Sequence, residues 1–324
     1  MESWRPNASL EALKLRAHTL AKIREFFAER QVLEVETPTL CRAVDPDPHI
    51  DCFQSQFNGP GFARALGLFL RSSPEFHMKR LLCAGSGSIY QISKCFRQGE
   101  LGALHQPEFT MLEWYRTDFD QNDLVAEMKD LLMRLAPQWS WHRCHTLSYA
   151  DAFLRYVQVD PLQASAEELN ICLQRYGVQL QDGDLADEFL LLDCLMSHII
   201  QPQLGREGPL FLTDFPARQA ALSQLNPLDA RVSQRFELFV DGVELANGFC
   251  ELRDATELQR RLEQDCQTRR DNGQTLIPLD RALIAAHQSG LPQCAGVALG
   301  FDRLMMLISG VDQIDQVLAF SEFQ

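Results

Sequence analysis

A chain of 324 residues, 46% hydrophobic and 23% charged, is long enough to bury its own core and too apolar to be disordered. The 30 Lys and Arg against 44 Asp and Glu leave a net charge of -14, which weighs against nucleic acid as the main partner, though a local basic patch is allowed. The opening MESWRPNASLEALK is no secretory signal, no window nears the ~18 uninterrupted apolar residues of a membrane span, and 10 scattered cysteines without C-x-x-C or zinc spacing read as buried hydrophobes, so a cytoplasmic protein without disulfides is expected.

Leu10, Leu13, Ala17, Leu20 and Phe27 recur at helical spacing, so residues 9–30 are expected to form an amphipathic helix with Asn7 or Ser9 as N-cap. The run VLEVETP reads as a short strand that Pro38 ends. Residues 72–84 read as a helix opened by Ser72 or Ser73 with Pro74 at its first position, and 88–95 as a strand. After a second strand, FTMLEWYR, the pattern turns helical from about 121 to 200, broken at Pro137, Pro161 and the QDGD segment, residues 181–184. FELFV, Asp241-Gly242 and VELANG form a hairpin signal, with a bulge expected at Asn247-Gly248. A charged helix near 255–272 precedes GVALGFDRLMMLISG, a small-residue strand and then a helix with Asp302 as N-cap and Gly310 as stop. Hairpin-joined strands with helices gathered outside predict an α+β fold with an antiparallel sheet, and neither G-x-G-x-x-G nor G-x-x-x-x-G-K-[ST] occurs.

The period of two places Phe109, Met111, Glu113 and Tyr115 on one face of FTMLEWYR. That strand alone favours a solvated face with a surface ion pair, but Arg97 at the end of the neighbouring run ISKCFR shifts the balance towards a site. Glu244 and Glu251, with Asn247 between them, are a candidate Mg²⁺ pair, since that ion takes few protein oxygens and prefers phosphates for the rest; taken alone, the hairpin does not favour a metal role.

Three segments, VLEVETPTL, FR followed by HQPEFTMLEWY, and GVALGFDR, resemble in order and spacing motifs 1, 2 and 3 of class II aminoacyl-tRNA synthetases. SPE at 73–75, PEFTMLEWY at 107–115 and GVELANGFCEL at 242–252 are similar to the catalytic core of the lysyl branch, and the resemblance covers nearly the whole chain. It implies a class II synthetase-like sheet flanked by helices: one catalytic domain over 1–324, with a helical insertion at roughly 121–235 and no N-terminal anticodon-binding OB domain. That arrangement resembles the stand-alone lysyl-tRNA synthetase paralogues that activate (R)-β-lysine, or lysine, with ATP and transfer it to a lysine side chain of elongation factor P. Truncated lysyl-tRNA synthetase, a catalytically silent lysine or ATP sensor, and a class II asparagine synthetase are the competing readings. The resemblance makes tRNA an unlikely acceptor and implies Mg²⁺ and a homodimer built on motif 1.

Carried onto this sequence, the resemblance makes Arg97 the α-phosphate clamp and Arg303 a γ-phosphate contact that sandwiches adenine with Phe109. Gln98, Gly99, Glu100, His105, Gln106, Leu245 and Gly300 complete the ATP site, and Glu244 and Glu251 hold the metal. Ser73, Pro74, Glu75, Glu113, Tyr115, Asn247, Phe249, Glu251 and Ala298 line the amino-acid pocket. The chain reads Phe96-Arg97-Gln98-Gly99-Glu100 where motif 2 has F-R-x-E, so its glutamate is displaced by one residue. Gln106 stands for the usual asparagine and Ala298 for glycine. A methyl at 298 is expected to narrow the pocket against an α-amino group.

Overall fold

In the computed structural model, which describes residues 4–61, 65–179 and 187–322, Met1–Phe119 with Leu252–Gln324 forms one unit and Asp120–Glu251 a second.

The first unit opens with α1 (Leu10–Glu29), whose N-cap Ser9 accepts from the Ala12 amide at 3.1 Å. The strand expected over VLEVETP is only β1 (Leu33–Glu34), parallel to β5 (Ile89–Phe96). Pro38 has no N–H to extend the ladder. β5 pairs antiparallel with β6 (Glu108–Thr117), and β6 with β11 (Cys294–Gly300), giving the order β1-β5-β6-β11. A small sheet of β2 (Leu40–Cys41), β4 (Leu66–Leu70) and β3 (Gln54–Phe57) completes the strands. One face of β6 is buried against α1: Phe27 stacks on Tyr90 at 4.4 Å between centroids and meets the fully buried Trp114 at 5.5 Å.

Towards the other end, α2 (Glu75–Cys83) buries Met78 and Leu82 with Ile89 and Tyr115, and α7 (Ala255–Asp271) and α8 (Arg281–Gly290) lie alongside. Pro74 sits at the N-cap of α2, one residue earlier than expected, and Ser73 Oγ accepts from the Glu75 amide at 3.0 Å. After β11, α9 (Phe301–Ser309) stops at Gly310 with φ 67°, the expected left-handed cap. Its N-cap is Gly300, not Asp302. The Asp302 carboxylate instead reaches the Thr110 amide and Arg16, both at 2.6 Å, and so ties β6, α9 and α1 together.

In the second unit Asp120 and Asp123 form a reciprocal capping box that starts α3 (Gln121–Leu135). The expected helical stretch also contains a strand, β7 (His145–Ser148), which joins β8 (Leu210–Pro216) in parallel; the order is β10-β9-β8-β7, with β9 (Val232–Val240) and β10 (Val243–Cys250) antiparallel. Four residues are too few to show a period of two against neighbouring helices, which is why β7 escapes the sequence pattern. α4 (Tyr149–Tyr156), α5 (Ala166–Arg175) and α6 (Glu188–Leu195) pack Phe153, Leu169 and Leu191 onto Leu212 and Phe239. Pro137 and Pro161 lie between helices as expected, and the QDGD segment lies outside the described residues. Asp241 and Gly242 take φ of 52° and 78°, the left-handed pair of a type I′ turn. No helix among the described residues is long and apolar enough to cross a membrane.

Candidate active site

Register brings the lysyl-type residues of the first unit onto one face. Across β6, Gln91, Glu113 and Ala298 stand side by side, as do Ile89, Tyr115 and Gly296, with Gly300 beside Met111. Gly296, Ala298 and Gly300 of β11 are small residues beside the face of β6 that carries Glu113 and Tyr115, both of them buried. Glu113 is not part of a solvated ion pair: it is 2% exposed, takes the Tyr115 hydroxyl on Oε1 at 2.7 Å and the Ser73 hydroxyl on Oε2 at 2.8 Å. Burial, and next the charge of Glu75, push its carboxyl up to about 7 against those hydroxyls and Lys79.

Glu75, at the start of α2, accepts on Oε1 from the Lys79 ammonium at 2.5 Å. Asp45 lies close enough that burial, Asp47 and then Glu75 raise its carboxyl well above the usual range. More acids than bases therefore converge here, an environment that favours a cationic guest.

At the other end of the same face the motif 2 loop holds the phosphate candidates. Arg97 lies one residue beyond β5, anchored by its amide on Pro107 O at 3.0 Å, with its guanidinium 5.3 Å from the Phe109 ring centroid. Its neighbour Gln98 donates its amide to Asp51 O at 2.8 Å. Gly99 turns the chain at φ +86°, and the displaced Glu100 folds back to accept from Arg97 Nη1 at 3.3 Å. His105 Nε2 is 2.5 Å from Arg303 Nη2 and 4.0 Å from Glu100 Oε2. A chain of contacts thus runs Arg97, Glu100, His105, Arg303. Here the ring of Phe109 carries Arg97, whereas the resemblance paired it with Arg303. Gln106 is buried and its Oε1 accepts from the Ser321 hydroxyl at 3.1 Å, so its side chain is turned to the C-terminal segment.

The second unit presents Glu244, Leu245, Asn247, Phe249 and Glu251 along and just beyond β10. The bulge lies between Glu244 and Ala246, not at Asn247-Gly248, which pair in register with Glu237 and Phe236. The shift has a consequence. Glu244, Asn247 and Phe249 face Phe239, Glu237 and Arg235, alternate residues of β9, so the extra residue moves Glu244 onto the face of the other two. Without it, Glu244 would point away. Leu245 is buried, leaving only its backbone for a ligand, and Phe249 is partly exposed.

Asn247 Oδ1 accepts from Arg235 Nε at 3.3 Å, while Arg235 also donates to Glu237 Oε1 at 2.5 Å and Gln219 O at 2.7 Å and lies 4.4 Å from the Phe215 ring centroid. Burial raises the Glu237 carboxyl, Arg235 holds it down and Glu244 adds to the rise. Glu251 is fully buried beside Ser223. Among the described residues no three His, Cys, Asp or Glu side chains are grouped to enclose a metal ion. Two carboxylates on one hairpin suit a hard cation that takes its remaining ligands from phosphates and water.

Sequence reasoning passed over Lys79, Arg235, Glu237 and the brace of Arg16 and Asp302. Lys79 alone had a local signal, its place four residues after Glu75 in a helix.

Comparison with known proteins agrees with the motif order. The family model for class II tRNA synthetases (D, K and N) matches residues 2–324. The chain is 49% identical over 318 residues, 98% of both chains, to the elongation factor P (R)-β-lysine ligase of Vibrio campbellii. It is 49% identical over 317 residues, 98% of this chain and 97% of the relative, to that of Vibrio cholerae. With the ligase of Erwinia tasmaniensis it shares 46% over 326 residues, 98% and 97% of the two chains.

Proposed function

The chain belongs to the class II tRNA synthetase family of D, K and N type, and from that premise we propose that it activates (R)-β-lysine with ATP and ligates it to a lysine side chain of elongation factor P. The observation that carries this reading is the buried Glu113, held by two hydroxyls and crowded by Glu75: a carboxylate arranged for an ammonium. A diamino acid supplies that charge.

In the first step a carboxylate oxygen of the amino acid attacks the α-phosphorus of ATP, the C–O–P bond forms, and the α–β bridge breaks to release pyrophosphate. Negative charge spreads over the phosphate oxygens, so catalysis consists of positioning and fixed positive charge. Arg97 offers a planar fork to the α-phosphate once Glu100 gives way, and Arg303 supplies charge to the γ-phosphate. Phe109 provides the ring under adenine, and Gly300 lets the Arg303 side chain lie close against the strand end. Glu244 and Glu251 of the second unit would hold Mg²⁺, an ion that neutralises phosphate charge when bound. In the first unit Glu75, Glu113 and Tyr115 orient the amino acid so that its carboxylate faces ATP. In the second step the neutral amine of the acceptor lysine attacks the acyl carbon, an amide forms, AMP leaves, and the amine proton passes to solvent.

The family's motif 1 dimer would cover Leu33 and Leu40, which are 56% and 50% exposed, and the setting we infer is the cytoplasm, where the acceptor works. The deciding experiment incubates the protein with ATP, (R)-β-lysine and either elongation factor P or tRNA. The reading expects a mass gain of one β-lysyl group on the factor; charged tRNA with an unmodified factor overturns it.

A further inference from the structure

Lys79 ends inside the protein with its side chain 0% exposed, although an ammonium is among the costliest groups to bury. Its carboxylate partner Glu75 keeps 14% exposure, and the pair forms one helical turn of α2 at 2.5 Å. Such a pair adds little net stability, because desolvation offsets the attraction, so its presence calls for another reason. The surroundings supply one. His287 of α8, which packs on α2, is pushed down to about 4 by burial and then by Lys79, so it brings no charge of its own near neutral pH. The other charged neighbours are acids: Glu75 itself, Asp45 beside it, and Glu113, linked through Ser73, whose hydroxyl donates to Glu113 Oε2 at 2.8 Å and accepts from the Glu75 amide at 3.0 Å.

Only Oε1 of Glu75 meets Lys79; Oε2 has no hydrogen bond among the described residues. A carboxylate so held cannot rotate freely about its last bond.

We propose that Lys79 is a positioning residue for substrate: its buried ammonium grips one oxygen of Glu75 and thereby aims the other at an amino group of the incoming diamino acid. The pair also sets the charge count. With Lys79 set against Glu75, the ionised Glu113 and the nearby Asp45 leave the cluster with an excess of acids, which suits a guest that carries two ammonium groups. An amino acid with a neutral side chain leaves Glu113 without a counter-charge. This inference rests on the function proposed above, and the experiment separates the two.

Pyrophosphate exchange with (R)-β-lysine is measured on the native protein, Lys79→Met, Glu75→Gln and the double variant. Because Lys79 acts through Glu75, each single change is expected to raise the amino-acid KM by roughly tenfold to a hundredfold, the range for losing a group that orients a ligand side chain. The KM for ATP stays within about twofold, since the arginines of the motif 2 loop are untouched. The double variant, a neutral pair of similar size, is expected to be no worse than Glu75→Gln alone, whereas independent roles would multiply the two defects. It also carries the test if Lys79→Met does not fold. An unchanged amino-acid KM in Lys79→Met, equal losses for ATP and amino acid, or multiplied defects in the double variant overturn the positioning role. Absence of exchange by the native protein with (R)-β-lysine and with lysine overturns the functional reading itself.

Discussion

Each unit of this protein holds an arginine and a buried glutamate on its sheet, yet the two pairs are built for different work. In the second unit Arg235 is saturated: it reaches Glu237 at 2.5 Å, Gln219 O at 2.7 Å and Asn247 at 3.3 Å, and lies against the Phe215 ring. In the first unit Arg97 and Glu113 are far apart along the face and hold weaker partners. Arg97 has a bond of 3.3 Å to Glu100 on a glycine-turned loop and a buried Nε without a hydrogen bond among the described residues; Glu113 has two hydroxyls. A charge locked by several short bonds on paired strands braces a fold. Charge that is held by exchangeable partners waits for a ligand.

The sharpest way to break this contrast is to blunt both arginines. Arg97→Lys keeps the charge and loses the fork, so adenylation is expected to fall by about 2 to 4 kcal/mol in activation free energy, as for removal of one transition-state donor, with the melting temperature little changed. Pyrophosphate exchange and calorimetry read the two. Arg235→Met reverses the balance: it leaves Glu237 without its counter-ion, and we expect about 2 kcal/mol of lost stability in urea denaturation, less than a fully buried pair costs because Arg235 is 18% exposed. If both variants lost activity and stability in the same proportion, the distinction between brace and ligand group would fall.

Glu113 sharpens the comparison through pH. Its folded value of about 7 lies above the ordinary 4.5, so between those values the folded ligand-free protein binds more protons than the unfolded chain. This group therefore favours the folded state at low pH, and its contribution declines as pH rises from about 4.5 to about 7. A substrate ammonium needs the ionised form. The KM for (R)-β-lysine is expected to climb roughly tenfold per unit as pH drops below about 7, and binding there releases a proton, visible by calorimetry in buffers of different ionisation heat. Glu113→Gln should flatten that profile while raising KM at every pH; a profile that stays the same would assign the titration elsewhere.

Much of this was legible in the sequence because it lay in local patterns. The FTMLEWYR alternation put Glu113 and Tyr115 on one face, and Asp241-Gly242 announced its turn. What escaped depends on distant pairing. Asp302 looks like a helix cap beside Gly300, but Thr110 and Arg16 draw its carboxylate inwards, a competition no local window displays. The bulge at Leu245 follows from the register with β9, which is set by the whole ladder; the Asn-Gly dipeptide beside it was the stronger sequence signal and the wrong place. Lys79 reads as one more exposed helix charge until packing of α2 against α8 buries it.

The finest test concerns a single methyl. Ala298 lies directly opposite Glu113 on β11 and is flanked on its face by Gly296 and Gly300, so its Cβ is the tallest feature of that stretch of the strand. Replacing it by glycine deepens the floor by one carbon beside the carboxylate that takes the substrate ammonium. The methyl's contact energy is small, and one methylene in a pocket is worth ~1 to 3 kcal/mol at best, so we expect a shift near the low end: roughly tenfold in the ratio of kcat/KM for (R)-β-lysine to that for lysine, in favour of lysine. Glu113 and its hydroxyl partners stay in place, hence ATP kinetics and the pH profile should not move. A preference unchanged by Ala298→Gly would show that the β-amino group is chosen by carboxylate placement, with Glu75 held by Lys79 the first place to look, and not by the depth of the floor.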